Sequence, residues 1–259
     1  MATSGDIDWS RTPAAIWRSR TDTLRPVENI DPIRFDQLLG IDEQINAIKK
    51  NTERFIEGLP ANNALLWGSR GTGKSSIIKA LLNEYRPRGL RVIEVDKSDI
   101  VDLPEIVDLI CYKPYSYIVY SDDLSFDEGE SAYKALKSIM EGSIELPPGN
   151  ILIYATSNRR HLMPEYMQEN DQSNVVRTEI HHGEAVEEKI SLSDRFGLWL
   201  SFYPINQAEY LKMIDALFVD THPEDRETLH KEAIKFALAK GGRSGRAAKQ
   251  FYNSYSGDF

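Results

Sequence analysis

The chain has 259 residues, of which 41% are hydrophobic and 27% are charged, so it is long enough to bury one large domain and a small second one. Its formal net charge of −9 repels a phosphate backbone, which argues against a general nucleic-acid binder. No apolar run approaches the ~20 residues that cross a bilayer, and the amino terminus lacks the apolar core of a secretion signal, so we expect a cytoplasmic protein without a membrane partner.

Residues 1–38 are polar, and we interpret them as an N-terminal extension that precedes the first domain. A helix is expected next, because Ile45, Ile48 and Phe55 fall on one helical stripe and Gly58 follows it. The first domain therefore begins at about residue 39.

Five short apolar runs follow, and helical patterns at 74–83, 104–111 and 130–140 fill intervals between them. Alternating strands and helices are typical of an α/β domain with a parallel sheet. We therefore predict a five-stranded parallel sheet flanked by helices within residues 39–203. The expected strands are 64–67, 92–95, 117–120, 151–154 and 198–202.

The strand pattern stops after Pro204. Asn206 and Glu209 form a capping-box pattern, and further helical segments follow at 227–240 and 244–252. Residues 204–259 are therefore predicted to form a small helical domain. The segment 159–186 is long for a loop in a compact domain, and its role is open.

A glycine-rich stretch stands between the first expected strand and the helix predicted at 74–83. It fits the pattern G-x-x-x-x-G-K-[ST], in the strand–turn–helix context that this phosphate-binding motif requires. Glycines let the backbone N–H groups point at phosphate oxygens, at the positive end of a helix. We expect the loop to bind a nucleotide through Gly68, Ser69, Arg70, Gly71, Thr72, Gly73, Lys74, Ser75 and Ser76.

Two of these side chains have distinct chemical roles in such a loop. Lys74 would neutralise the β- and γ-phosphates of the nucleotide. Ser75 would supply a hydroxyl ligand to Mg²⁺, which prefers a few protein oxygens together with phosphate and water. ATP and Mg²⁺ are therefore the expected cofactors.

Two acids end the strand expected at 117–120. Asp122 and Asp123 have the form of a Walker B segment, which places a carboxylate opposite the phosphate loop. Asp122 would hold Mg²⁺, and Asp123 would orient and deprotonate the attacking water. A glutamate usually occupies the second position and aspartate is one methylene shorter, so Glu128 or Glu130 remains an alternative base.

The strand expected at 151–154 continues into Thr156, Ser157 and Asn158, and this segment resembles the sensor 1 motif of AAA+ ATPases. The resemblance implies that Asn158 contacts the γ-phosphate or the attacking water. The segment 193–197 is similar to the AAA+ box whose arginine reaches the nucleotide of a neighbouring subunit. It implies that Arg195 is an arginine finger and that the chain forms a homo-oligomer.

Two further segments resemble AAA+ motifs. The run 242–248 is similar to sensor 2, in which an arginine at a helix start contacts the nucleotide and links the position of the lid to the nucleotide state. Arg246 fits this role better than Arg243, which remains the alternative. The segment 39–42 resembles the one that packs on adenine, which implies a contact from Ile41.

The order of these motifs resembles that of the AAA+ P-loop ATPases over nearly the whole chain from Leu39 onward. The stretches 71–137 and 155–160 look like the bacterial AAA+ family catalogued as domain of unknown function 815. The resemblance implies a doubly wound sheet, a small helical lid and ATP in the crevice between them. It also implies hydrolysis to ADP and phosphate that remodels a client, either a protein or a nucleic acid, which no residue identifies.

Other functions compete with this one. GTPases read guanine with an Asn-Lys-x-Asp loop, which the sequence lacks. A small-molecule kinase would not need the sensor and finger residues at these positions. Asp123 in place of glutamate is compatible with a nucleotide-gated switch that hydrolyses ATP slowly or not at all. A nucleic-acid-associated ATPase is supported by basic residues at Arg86, Arg88, Arg91, Arg159, Arg160 and His161.

Overall fold

The structure is a computed structural model that describes residues 7–126, 131–141, 146–158, 195–220, 222 and 224–257. The segment 159–186, with Arg159, Arg160 and His161, lies outside the described residues, as do the alternative bases Glu128 and Glu130. Within the described part of the chain, no helix is long and apolar enough to cross a membrane.

A β-sheet forms the centre of the larger domain. Its strands are β1 (Ala14–Arg18), β2 (Thr23–Pro26), β3 (Ala64–Gly68), β4 (Leu90–Glu94), β5 (Ser116–Ser121), β6 (Ile151–Ser157) and β7 (Leu198–Phe202). They lie in the order β2-β1-β4-β5-β6-β3-β7. The predicted strands correspond to β3 through β7, and every neighbouring pair among them is parallel, which confirms this part of the prediction.

Two strands at one edge of the sheet lie outside the predicted five. β1 pairs with β4 in parallel, and β2 pairs with β1 antiparallel. Trp17 on β1 is 3% exposed, and its Nε1 donates a 2.8 Å hydrogen bond to Asp102. Among the residues that the structure describes, the sheet is therefore seven-stranded and mixed, and the predicted N-terminal extension supplies its edge. β2 has no buried residue and therefore no apolar alternation, and β1 enters the sheet only through its pairing with β4, which is distant in the chain.

Helices cover both faces of this sheet. They are α1 (Asp42–Ile56), α2 (Lys74–Tyr85), α3 (Leu103–Ile110) and α4 (Ser131–Glu141). One apolar cluster joins α1 and α2 to one face of the sheet and includes Ile48 and Ile77. A second cluster joins α3 and α4 to the opposite face and includes Ile106 and Leu136. The predicted doubly wound arrangement is confirmed.

The last three helices, which we call the lid, have a core of their own. They are α5 (Gln207–Leu217), α6 (Arg226–Ala239) and α7 (Gly245–Tyr255), and they pack around Tyr210, Leu229 and Phe251. The predicted capping box begins α5: Asn206 Oδ1 accepts from the Glu209 N–H at 2.9 Å, and Glu209 Oε2 accepts from the Asn206 N–H at 2.9 Å. The helical lid of the predicted fold is confirmed, and the domain boundary at residue 204 stays a prediction.

Candidate nucleotide site

Three polar segments meet at the carboxyl edge of the sheet. The phosphate loop follows β3, the two acids follow β5, and Asn158 follows β6. Because β5, β6 and β3 are parallel neighbours, their carboxyl ends lie side by side. Ligands of open α/β sheets bind in the crevice at this edge. The fold therefore brings together motifs that are up to about 90 residues apart in the chain.

The phosphate loop is held tightly at its base. Gly68 has φ +126°, and a Cβ there would lie 2.1 Å from the carbonyl oxygen of Phe202, so no other residue fits. The next N–H, that of Ser69, donates to the same oxygen at 2.9 Å. Within the loop, Thr72 Oγ1 donates to the Ser69 carbonyl at 2.8 Å. The loop then enters α2, whose first turn contains the half-buried Ser76.

The side chain of Lys74 folds back over the loop. Its Nζ donates to the carbonyl oxygens of Gly68 at 2.8 Å and Ser69 at 2.7 Å, and lies 3.4 Å from Asn158 Oδ1. Burial lowers the pKa of Lys74; the carboxylates of Asp122 and Asp123 oppose this shift, while Arg246 and Arg70 add to it. Three cationic side chains therefore lie close to the loop, an arrangement that suits a polyphosphate.

Three hydroxyl groups converge on a single oxygen of Asp122. Its Oδ1 accepts hydrogen bonds from Ser75 Oγ at 2.7 Å, Tyr120 OH at 2.7 Å and Thr156 Oγ1 at 2.5 Å. Burial raises the pKa of Asp122, but the bonds from Thr156, Tyr120, Ser75 and the Asp123 N–H outweigh it, so the pKa lies below its ordinary range. The carboxylate is therefore ionised at neutral pH.

The donor set at Ser75 and Asp122 fits Mg²⁺. A hydroxyl and an ionised carboxylate lie 2.7 Å apart at the mouth of the loop, which matches the preference of Mg²⁺ for a few protein oxygens. These are the two residues that the sequence predicts as ligands. Among the described residues no group of three His, Cys, Asp or Glu side chains is placed to hold a metal by itself, so the remaining ligands would come from phosphate and water.

Asp123 and Asn158, the residues predicted to handle the water and the γ-phosphate, are in direct contact. Asn158 Nδ2 donates to Asp123 Oδ1 at 2.5 Å. The other carboxylate oxygen lies 4.0 Å from Nη2 of Arg70. Asp123 has φ 52°, in the left-handed region that residues other than glycine rarely adopt, and such backbone conformations are frequent at active sites.

The residues predicted to contact the base and to link the lid position to the nucleotide state lie beside two different glycines of the loop. Ile41 is 6% exposed, and its Cδ1 lies 3.1 Å from the position that a Cβ on Gly73 would take. Arg246 is exposed, and its Cβ lies 3.3 Å from the corresponding Cβ position on Gly71. Arg243 is half-buried, and the charge of Arg246 lowers the pKa of Lys74.

Arg195 lies apart from the other predicted residues. It is half-buried and precedes β7, whose first residue Leu198 pairs with Ala64 at the start of β3. The phosphate loop follows the other end of β3, after Gly68. A strand of five residues spans roughly 17 Å. Arg195 therefore lies near the amino-terminal ends of β3 and β7, whereas its own phosphate loop follows the carboxyl end of β3.

Two site residues, Tyr120 and Thr156, are missing from the sequence-based predictions. Each stands two residues before a predicted one, Tyr120 before Asp122 and Thr156 before Asn158. Along a strand, residues two apart point to the same face, so this spacing is a signal that could have identified both.

Comparisons with known proteins agree with this fold. A family model described as "Protein of unknown function (DUF815)" matches residues 10–259. No curated protein matches the chain. Among solved structures, a proline-to-glycine mutant of Thermotoga maritima RuvB is similar, with a TM-score of 0.51 and 11% identity over 87% of this chain and 73% of that one.

Other mutants of the same RuvB are also similar. A lysine-to-arginine mutant has a TM-score of 0.48 and 11% identity over 88% of this chain and 73% of that one. An alanine-to-serine mutant has a TM-score of 0.47 and 13% identity over 87% and 73%. At such identities the likeness concerns the fold, and the AAA+ fold predicted from the order of motifs is confirmed.

Proposed function

The chain belongs to the family described as "Protein of unknown function (DUF815)", and we propose that it is an AAA+ ATPase that hydrolyses ATP to ADP and phosphate. One observation carries this proposal. Beside a phosphate loop, Asn158 contacts both Lys74 and Asp123, and Ser75 of the loop donates to Asp122. A structural role alone would not explain why so many charged groups converge on one loop.

The loop would bind the triphosphate. Backbone N–H groups at the start of α2 would donate to phosphate oxygens, and the Lys74 ammonium would exchange its carbonyl contacts for the β- and γ-phosphates. Mg²⁺, when held at Ser75 and Asp122, supplies positive charge against the phosphate oxygens. Ile41, buried beside Gly73, would pack on the base.

Hydrolysis would take place next to Asp123. Its carboxylate would accept a proton from a water molecule as the water oxygen forms a bond to the γ-phosphorus and the bond from that phosphorus to the bridging oxygen breaks. ADP carries away the electron pair of the broken bond, and inorganic phosphate forms. Asn158, which contacts both Asp123 and Lys74, would orient the water and the γ-phosphate.

The products would leave as the lid moves. Arg246 at the start of α7 would contact the γ-phosphate, so loss of that phosphate would change how the lid is held. Arg195 would act on the nucleotide of a neighbouring copy, since it precedes β7 at the strand ends opposite its own loop. A homo-oligomer follows from that role. Lid movement would drive remodelling of a client, which is a protein or a nucleic acid.

The test is steady-state ATP hydrolysis together with nucleotide binding. We expect Lys74→Ala to abolish binding, because the loop loses the ammonium that would neutralise the β- and γ-phosphates. Asp123→Asn should retain binding and lower turnover by about 100-fold or more, as expected for loss of a general base. Lys79→Ala is the matched control, because Lys79 is an exposed lysine on the same helix that pairs with Asp31 and has no predicted role in the site. Equal loss of binding in both site variants would contradict these roles.

A nucleotide-gated switch with little or no turnover is the second candidate. It is favoured by Asp123, whose side chain is one methylene shorter than that of glutamate. The Asp123 carboxylate already accepts a hydrogen bond from Asn158 and lies 4.0 Å from Arg70. A wild-type protein that binds ATP and Mg²⁺ but shows near-zero turnover at every protein concentration would support the switch and exclude the hydrolase.

Some of the residues that support a nucleic-acid client are engaged elsewhere. Arg91 is 6% exposed, and its Nε donates to the Trp9 carbonyl at 2.7 Å. Arg88 pairs with Glu57 at 3.0 Å. Within the described residues, Arg91 therefore has a structural role, and the interpretation of this cluster as a nucleic-acid contact is wrong for Arg91.

A further inference from the structure

Thr156, near the end of β6, is bonded to each of the three residues that follow β5. Its hydroxyl donates to Asp122 Oδ1 at 2.5 Å and accepts from the Asp123 N–H at 2.9 Å. Its carbonyl oxygen accepts from the Leu124 N–H at 2.7 Å. The side chain is 1% exposed, so this network is shielded from water. One residue of the neighbouring strand thus holds the whole segment that carries the two acids.

The hydroxyl bonds act on different properties of the two acids. The bond to Asp122 fixes the direction in which its carboxylate faces Ser75. The bond from the Asp123 N–H holds the backbone of that residue, whose φ of 52° is unfavourable without external support. This backbone conformation directs the Asp123 side chain towards Asn158. A change at Thr156 would therefore disturb both acids at once.

We propose that Thr156 is a positioning residue that sets the orientation of both Asp122 and Asp123 through its hydroxyl group. This inference rests on the proposed function, and it adds a residue that would act through Asp122 and Asp123, which it contacts directly. Thr156 holds the carboxylate that would bind the metal and the carboxylate that would accept the proton in a fixed relation. Tyr120 supports the first of these alone, through its own bond to Asp122.

Two substitutions separate the hydroxyl from the rest of the side chain. Thr156→Val keeps the shape and the main-chain bond to Leu124 but can neither donate nor accept through its side chain. Thr156→Ser retains the hydroxyl and should rescue function. Thr52→Val is the matched control: Thr52 is also buried, and its hydroxyl bonds lie at Ile48 and Tyr154, away from the site.

The experiment measures nucleotide affinity with Mg²⁺ and with EDTA, the Mg²⁺ dependence of turnover, and thermal unfolding, for the wild type and each variant. Groups that orient a metal ligand typically contribute about 10- to 100-fold to metal affinity, so Thr156→Val should raise the Mg²⁺ concentration for half-maximal turnover by about that factor. It should also lower kcat. Affinity in EDTA should stay near that of the wild type, because the phosphate loop is intact.

Each outcome decides the proposal. Rescue by Thr156→Ser, with Thr52→Val retaining wild-type Mg²⁺ dependence, supports it. Wild-type Mg²⁺ dependence and kcat in Thr156→Val would overturn it, and so would an equal change in Thr52→Val or a failure of Thr156→Ser to rescue. If the wild type binds ATP with Mg²⁺ but does not hydrolyse it, the hydrolase proposal fails, and the Mg²⁺-dependent gain in nucleotide affinity still decides the role of Thr156.

Discussion

The main-chain N–H of Gly245, the first residue of α7, donates a 3.1 Å hydrogen bond to the carbonyl oxygen of Gly71 in the phosphate loop. The lid therefore contacts the loop backbone directly. The approach is close: a Cβ on Gly71 would lie 3.0 Å from both Cβ and Oγ of Ser244. Ser244 in turn caps α7, since its Oγ accepts from the Ala247 N–H at 3.1 Å. A shift of the loop on nucleotide binding would therefore move the start of α7.

Replacing Gly71 should separate the loop from the lid. Gly71→Ala introduces a methyl group at 3.0 Å from Ser244, in a residue with φ +74°. The backbone strain costs about 1–2 kcal/mol, and Ser244, which caps α7, must in addition move by a few tenths of an ångström. We expect weaker ATP binding, measured as nucleotide affinity. We also expect a weaker contact between loop and lid, measured as faster cleavage of the lid by a protease.

Gly58→Ala is the control for strain alone. Gly58 has a similar φ of +70°, but a Cβ there would meet nothing within 4 Å. This variant should lose about 1–2 kcal/mol of unfolding free energy and keep wild-type ATP affinity. Comparable losses of ATP affinity in both variants would show that the contact between loop and lid has no role in binding.

Arg246 should distinguish ATP from ADP. Its Cβ lies beside Gly71, its guanidinium affects the pKa of Lys74, and the side chain is exposed. Hydrogen bonds to charged groups contribute about 1.5–3 kcal/mol, so Arg246→Ala should weaken ATP binding by about 10- to 100-fold and ADP binding much less. Titration of both nucleotides by calorimetry measures the difference.

Lys249→Ala and Arg243→Ala complete that comparison. Lys249 is exposed on the same helix and lies 5.0 Å from the ring centre of Tyr252, so its removal should leave both affinities unchanged. Arg243 is the alternative sensor. Selective loss of ATP affinity in Arg243→Ala, with Arg246→Ala like the wild type, would reverse the assignment of the two arginines.

The contiguous motifs of this site could be predicted from the sequence because each combines chemistry with a local structural context. The phosphate loop stands between a strand and a helix, and Asp122 and Asn158 each end an apolar run. The start of the lid could be predicted for the same reason, since the capping box of Asn206 and Glu209 is a local signal.

Contacts that depend on pairing between strands could not be predicted in this way. Thr156 binds Asp122 although 34 residues separate them, and only the neighbouring position of β6 and β5 brings them together. The place of β1 and β2 in the sheet depends on the pairing of Ala14 with Val92. Local periodicity does not contain that information.

Alkaline pH should destabilise the protein through Tyr154. Burial raises the pKa of Tyr154 to about 12, although hydrogen bonds with Thr52 and Asn51 lower it in part. Because the folded pKa exceeds the ordinary value of 10.0, the stabilising contribution is complete below pH 10 and is lost as pH rises towards 12. Denaturant unfolding at pH 9 to 12 should show a loss of about 2 kcal/mol from this group.

Tyr154→Phe isolates this contribution. The variant should be less stable than the wild type at neutral pH, because Asn51 Nδ2 and Thr52 Oγ1 lose a buried partner. The difference between the two proteins should shrink as pH rises from about 10 to 12, since the variant has no phenol to ionise at this position. A constant difference across that range would show that Tyr154 ionises equally easily in the folded and unfolded chains.

Arg195 should act between subunits, and mixing variants tests this directly. Arg195 lies near the strand ends opposite its own loop, so Arg195→Ala should bind ATP normally. Its turnover should fall by about 1000-fold, as when an arginine finger is removed. Lys74→Ala retains Arg195 but should not bind ATP. Mixing the two inactive variants should restore turnover, because one supplies the finger and the other the bound nucleotide.

Arg88→Ala, which removes a surface pair with Glu57, should retain activity. Mixtures that stay inactive although both variants co-assemble would mean that Arg195 does not act on a neighbour's nucleotide.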